Sequence, residues 1–154
     1  MPPMKSDPYR EHLRATKAEL QAAWENLAFS AQSVAEIPTA EDRRVWTPEE
    51  LEKIEAFTSR FARFVDLLVH RVLRALDRYE LNEPGTLLDV ANRAEARGLV
   101  VSVDWLRELK DVRNRIAHDY VGHQLADVFA YCLSQLPALK NAFAATCAYI
   151  DGLV

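Results

Sequence analysis

Apolar side chains recur at steps of three and four residues, or at multiples of these steps, along most of the chain. This spacing places them on one face of an α-helix, because the helix turns once every ~3.6 residues. Residues that interrupt helices are scarce: there are 4 glycines and 7 prolines, and three of the prolines lie within the first eight residues. A chain with this pattern buries long amphipathic helices against one another, so the sequence predicts an all-α bundle.

The length of 154 residues fits a single domain, 1–154, around one hydrophobic core. Residues 1–8, which include three prolines, are expected to form a flexible arm. No apolar run approaches the ~20 residues that span a bilayer, and the N-terminus lacks the apolar core of a signal peptide. We therefore expect a cytoplasmic protein without membrane contact.

Capping residues mark where the helices begin. Ser6 or Asp7 precedes Pro8, which suits the first turn of a helix. Thr47-Pro48-Glu49-Glu50 combines a capping hydroxyl, a proline in the first turn and a carboxylate three residues after the cap. Ser102 is expected to cap the fourth helix. The sequence predicts five helices, four of them forming the core, over about 8–37, 48–81, 86–97, 103–120 and 125–150.

Other residues predict how these helices end and pack. Gly98 stops the third helix, a break near Val121-Gly122 separates the last two, and Pro137 should kink the last. The phenylalanines at 57, 61 and 64 share one helical face and are expected in the core rather than at a cofactor. The apolar stripes suit self-association, although packing within one chain explains them equally well.

The charge balance argues against a general nucleic-acid-binding protein. The formal net charge is −4, with 19 basic and 23 acidic residues. Any contact with RNA therefore has to come from a local basic patch. Basic residues do gather on two neighbouring predicted helices, among interspersed carboxylates, and they are Arg93, Arg97, Arg107, Lys110, Arg113 and Arg115.

Reactive side chains are concentrated at the end of the fourth predicted helix, in Arg113-Asn-Arg-Ile-Ala-His118-Asp-Tyr120. Arginine binds phosphate, and histidine can transfer a proton near neutral pH. The tyrosine hydroxyl can accept a hydrogen bond or a covalent modification. On a surface helix such a stretch is often only a solvated face, and a histidine near a helix C-terminus can simply interact with the helix dipole.

Helix geometry separates the three side chains. Arg113 and Tyr120 share a direction, whereas His118 points about 140–160° away on an ideal helix. Either the helix ends or distorts near Ala117, or the site needs a second surface, such as a second copy of the chain.

The neighbours of the motif suggest further roles. Arg115 is four residues from Asp111 and from Asp119, so two ion pairs can occupy it. Arg113 is then the freer phosphate ligand. Asn114, one turn before His118, could orient the imidazole through a hydrogen bond.

The spacing R-x4-H-x-Y at Arg113, His118 and Tyr120 resembles the motif of HEPN-domain ribonucleases, particularly HepT-type toxins. The flanking Asn114 and Ile116 are similar to that family as well, and outside residues 105–122 the resemblance is one of helical layout. It implies a HEPN-like homodimer in which two motifs face one another across a cleft and RNA is cut without metal.

The resemblance also implies roles for single residues. His118 is expected as general base or acid and Arg113 as the ligand of the scissile phosphate, while the 2′-hydroxyl of the RNA attacks. Asn114 is an accessory residue, Lys110 and Arg115 belong to an RNA-binding rim, and no cofactor is expected. His70 and Asp66 could approach the cleft, but the sequence does not place them.

Tyr120 has a regulatory role by the same resemblance. HepT-type toxins are similar to substrates of a minimal nucleotidyltransferase antitoxin of the MntA type, which transfers AMP to the motif tyrosine. The added bulk and negative charge would repel an RNA phosphate. The alternative for Tyr120 is a half-buried packing residue.

Two other functions fit the sequence. The chain could be a non-catalytic HEPN-like subunit that docks a nucleotidyltransferase and presents its substrate, or a structural dimerisation bundle. The acidic composition favours these two functions, whereas the intact motif favours a ribonuclease.

Overall fold

The computed structural model describes residues 7–39, 46–118 and 123–154. Over these ranges the chain is all-helical, with five helices and no strand. We label them α1 (Pro8–Val34), α2 (Pro48–Asp66, Leu67–Val72 and Leu73–Tyr79 in succession), α3 (Leu87–Ala96), α4 (Val103–Ala117) and α5 (His123–Leu153). The predicted helical class and number are confirmed, while the expected break at Val121-Gly122 lies outside the described residues.

The helix starts follow the predicted caps. The Asp7 carboxylate accepts a hydrogen bond from the backbone N–H of Tyr9 at 3.0 Å. Thr47 and Glu50 form a reciprocal capping box with both bonds at 3.1 Å. The hydroxyl of Ser102 accepts from the N–H of Trp105 at 3.0 Å. These bonds satisfy N–H groups that have no partner within the helix, which is why the starts could be predicted locally.

Two helices end in the same hydrogen-bond pattern. After α3, the N–H of Leu99 donates to the carbonyl of Ala94 at 3.0 Å, and Gly98 between them has φ of 75°. After α2, the N–H of Asn82 donates to the carbonyl of Asp77 at 2.9 Å, and Leu81 has φ of 60°. Both ends are Schellman motifs. Only the first has the glycine that this left-handed backbone favours.

Buried side chains from all five helices form one hydrophobic core, whose aromatic part connects α1, α2 and α5. Phe57, Phe61 and Phe64 are fully buried, as their spacing predicts. Trp24 of α1 packs edge-on against Phe64 at 5.4 Å and stacks on Phe143 of α5 at 5.3 Å between ring centroids. Aromatic side chains thus connect the three longest helices. The helix α4 packs against α2.

A π-helical turn interrupts α2 at Leu67–Val72. Leu68, Val69 and Val72 are buried, so the wide turn keeps its apolar residues in the core. Asp66 comes immediately before it and His70 lies within it. Turns of this kind are frequent at functional sites, and Leu67 and His70 of this one line a depression together with residues of α4.

The helix α5 continues as one element through Pro137. In the part of the chain that the structure describes, no helix combines the length and the apolarity that crossing a bilayer demands.

Candidate functional site

Two connected depressions lie along the line where α2 meets α4. The larger depression has a volume of about 840 Å³ and is lined by α1, α2 and the C-terminal part of α4, including Ile116 and Ala117. The smaller depression, of about 430 Å³, is lined by Arg63, Asp66, Leu67, His70, Arg71, Lys110, Arg113 and Asn114. Arg63, Asp66, Leu67 and Arg113 line both, so the depressions form one continuous polar groove.

Arg113 lies where the two depressions join, and Asp66 holds it there. Its Nε donates to Oδ1 of Asp66 at 2.6 Å, and each side chain is 34% exposed. Its Nη1 makes a long contact of 3.4 Å with Oδ1 of Asn114. A guanidinium carries five N–H groups in a fixed plane, so Arg113 has further donors for an oxyanion besides the one that binds Asp66.

This arrangement reverses one prediction. Arg115, expected to be occupied by carboxylates, is exposed and makes no ion pair with Asp111, whereas Arg113 does bind a carboxylate. The expected partner Asp119 lies outside the described residues. The prediction was wrong about Arg113 because it counted pairs within one helix, and Asp66 is 47 residues away in sequence.

The helix that carries the motif ends just before His118. Ala117 is the last residue of α4, and His118 has extended backbone angles, φ −102° and ψ 145°. Its N–H donates to the carbonyl of Arg115 at 3.2 Å. Of the two alternatives left open by helix geometry, an end of the helix near Ala117 is confirmed.

His118 is not one of the residues that line the groove with Arg113. It is exposed and, among the described residues, lines neither depression. The bond from Asn114 that was expected to orient the imidazole is not formed, since the Asn114 oxygen faces Arg113 instead. Tyr120, the expected AMP acceptor, lies outside the described residues.

His70 is a site residue that sequence reasoning left unplaced. It lines the smaller depression together with Lys110 and Arg113. Although the residue is exposed, the protein around the imidazole lowers its pKa by desolvation, and the ammonium of Lys110 lowers the pKa further. Asp66 opposes this shift, whereas Arg74 and Arg113 add to it. The available signal was its position one turn after Asp66 on the same helix.

The candidate basic rim divides into two groups. Lys110 lines the groove, and the exposed Arg115 does not. Arg93 and Arg97 bind the buried carboxylate of Asp77 at 3.2 and 2.7 Å. These two arginines therefore connect α3 to α2 and do not line the groove.

Among the described residues, no group of three or more His, Cys, Asp or Glu side chains is placed to hold a metal ion. Comparisons of the chain with protein-family models, with curated proteins and with solved structures returned no match. The groove and the motif are therefore the basis on which a function can be argued.

Proposed function

We propose that the chain is a HepT-like endoribonuclease toxin that works as a homodimer and cuts RNA without metal. The observation that carries the proposal is the R-x4-H-x-Y motif on a helix that ends at Ala117. The arginine of the motif lines a polar groove, and the histidine is the first residue beyond the helix.

The chemistry requires one phosphate ligand and one proton carrier. The 2′-oxygen of the RNA attacks the adjacent phosphorus while His118 accepts its proton as general base. The bond to the 5′-oxygen of the next nucleotide breaks, and a proton returns to that oxygen. The products are a cyclic phosphate end and a 5′-hydroxyl end. Arg113, oriented by Asp66, binds the phosphate and stabilises its developing negative charge.

A second protomer completes the site in this proposal. His118 lies beyond the end of α4 and is not among the described residues that line the groove of its own chain. Placing two motifs across a cleft lets the histidine of one chain act beside Arg113 of the other. Lys110 and Arg115 then belong to the rim that RNA approaches.

We propose that the ribonuclease is inhibited by modification of Tyr120. The enzyme that modifies it would be a nucleotidyltransferase antitoxin of the MntA type. AMP attached two residues after His118 adds a bulky anion beside the motif, which repels an RNA phosphate. With ATP and the partner, the intact mass should rise in AMP-sized steps. Tyr120→Phe should abolish these steps, and continued modification of Tyr120→Phe would show that another residue is the acceptor.

The ribonuclease proposal is tested with Arg113→Ala and His118→Ala. Each should lower RNA cleavage by about 100-fold or more and relieve growth inhibition while the protein stays folded. Arg107→Ala is the matched control, because Arg107 is exposed on the same helix and does not line the groove. A wild-type protein that neither cleaves RNA nor slows growth when freed of its partner would refute the proposal.

A second candidate is the non-catalytic HEPN-like subunit that docks a nucleotidyltransferase. The ion pair between Asp66 and Arg113 favours it, because a neutralised arginine attracts RNA less strongly. This candidate predicts a stable complex with the transferase and no cleavage by either wild type or variants.

A further inference from the structure

The groove contains more cations than the motif supplies. Arg63 and Arg71 of α2 line the smaller depression together with Lys110 and Arg113 of α4, and Asp66 is the single carboxylate among the described residues of its lining. The whole chain is acidic, with a net charge of −4. A local excess of positive charge on an acidic protein marks a place where an anion can bind.

Two of these four cations already have partners. Arg113 binds Asp66, and Arg71 binds the carboxylate of Glu19 with contacts of 2.9 and 3.1 Å. Within the described ranges, Arg63 and Lys110 make no hydrogen bond or ion pair with a protein group. Their positive charges are therefore the least compensated in the groove.

The unpaired cations lie on opposite sides of Arg113. Arg63 also lines the larger depression, where α4 contributes Ile116 and Ala117. Lys110 instead lines the smaller depression with His70, away from the end of α4. The two helices thus run in opposite directions along the groove. Lys110 is one turn, or about 5 Å of helical rise, from Arg113.

The protonation of His70 agrees with this charge distribution. Desolvation lowers its pKa most, and the cations Lys110, Arg74 and Arg113 lower the pKa further, against the opposing effect of Asp66. The charges that act on the imidazole are therefore mainly positive.

We propose that an RNA strand lies along the groove, with Arg63 and Lys110 binding the backbone phosphates on either side of the phosphate held by Arg113. This inference rests on the proposed function for its ligand and goes beyond it by assigning α2 a direct part in binding. Arg71, already paired with Glu19, is a lesser contributor.

Binding is measured with a single-stranded oligonucleotide whose 2′-positions are O-methylated, because it cannot be cleaved by its own 2′-oxygen. The logarithm of affinity is plotted against the logarithm of salt concentration. Arg63→Gln and Lys110→Gln should each reduce the magnitude of the slope by about 0.7, the value for one lost phosphate contact on a single strand. Lys53→Gln and Arg14→Gln, at exposed positions outside the groove, should leave it unchanged.

Uncharged methylphosphonate linkages then locate each contact. With the uncharged linkage at one position, Lys110→Gln should no longer change the binding affinity. With the linkage at a different position, on the other side of the phosphate held by Arg113, Arg63→Gln should no longer change it. Circular dichroism and thermal unfolding verify that the variants are folded.

Slopes that change for Arg113→Gln but not for Arg63→Gln and Lys110→Gln would overturn the inference, as would an absence of binding at low salt. These outcomes differ from failure of the ribonuclease proposal. If natural RNA binds through Arg63, Lys110 and Arg113 but is not cleaved, the cleavage proposal alone is refuted. If RNA is cleaved in an Arg113-dependent way while Arg63 and Lys110 make no phosphate contact, this inference alone is refuted.

Discussion

A single carboxylate determines how Arg113 can act. Asp66 contacts Nε at 2.6 Å, and both residues line the groove. The same carboxylate brings a negative charge to the place where the proposed mechanism puts an RNA phosphate. Asp66 therefore orients the arginine and weakens its attraction for anions at the same time, and these two effects can be separated by mutation.

Asp66→Asn is expected to change affinity and turnover in opposite directions. Removing the negative charge strengthens binding of the uncleavable oligonucleotide, while loss of the charge-assisted bond lets Arg113 rotate and lowers kcat. Asp66→Glu should restore part of kcat. Asp104→Asn, at an exposed position on α4, is the control for charge alone. A fall of both affinity and kcat would show that Asp66 serves only the fold.

His70 reports the charge of the groove through its pKa. Lys110→Met should raise that pKa toward the ordinary value, since the ammonium and the loss of hydration both disfavour the imidazolium. The direction also sets a pH effect on stability. Because the folded pKa lies below the unfolded one, folding stability should fall as pH drops below the ordinary histidine value of about 6.5 and level off below the folded pKa.

Both statements about His70 are checked by NMR titration of its imidazole and by urea unfolding at several pH values. A His70 pKa that does not move in Lys110→Met would contradict the assignment of Lys110 to the groove.

Leu81, after α2, and Gly98, after α3, have the same left-handed backbone conformation. Leu81 is 85% exposed, so its side chain gains little from packing, and its φ of 60° is unfavourable for a residue with a Cβ. Leu81→Gly should therefore stabilise the fold by about 1 kcal/mol.

Gly98→Ala is the matched opposite change. No atom lies within 4 Å of the added Cβ, so the expected loss of about 1 kcal/mol comes from the backbone conformation alone. Thermal unfolding measures both variants. A destabilised Leu81→Gly would mean that the exposed leucine contributes packing despite its exposure.

For individual helices, the sequence predicts some features and misses others for physical reasons. Helix starts depend on side chains within three residues of the cap, so Thr47 and Ser102 could be assigned directly. The π-helical turn at Leu67–Val72 has no local signature, because it is stabilised by burial of Leu68 and Val72 against other helices. The helix α2 ends at Tyr79, close to the predicted boundary at 81, although no glycine marks this end.

Across the whole molecule, the basic residues separate by the neighbours that packing gives them. Arg97 binds Asp77 and Glu80, and Glu80 accepts a hydrogen bond from Tyr149 of α5 at 2.9 Å. These contacts connect α2, α3 and α5. Sequence proximity grouped Arg97 with Lys110, and only the arrangement of helices shows that the first is structural and the second lines the groove.

The candidate site was predicted in part for the same reason. The motif residues and the end of the helix follow from spacing along one chain. The pairing of Arg113 with Asp66 and the position of His70 depend on how α2 crosses α4, which no local pattern encodes.

The proposed dimer makes a prediction about mixed protomers. If Arg113 of one chain acts with His118 of the other, mixing inactive Arg113→Ala and His118→Ala proteins should restore cleavage, because one of the two sites in a mixed dimer is intact. Subunit exchange is followed by native mass spectrometry, and each variant alone is the control. Mixed dimers that form and remain inactive would place both residues of each site in a single chain.

The wide turn of α2 also bears on which changes in chain length the fold can accept. A π-helical turn holds one residue more than an α-helical turn, so deleting one residue within Leu67–Val72 allows an ordinary helix to close. The flanking segments Pro48–Asp66 and Leu73–Tyr79 would keep their faces toward the core. The position of His70 in the groove wall would be lost. The helix can thus be shortened at this point with little change to the bundle, while the groove requires its present length.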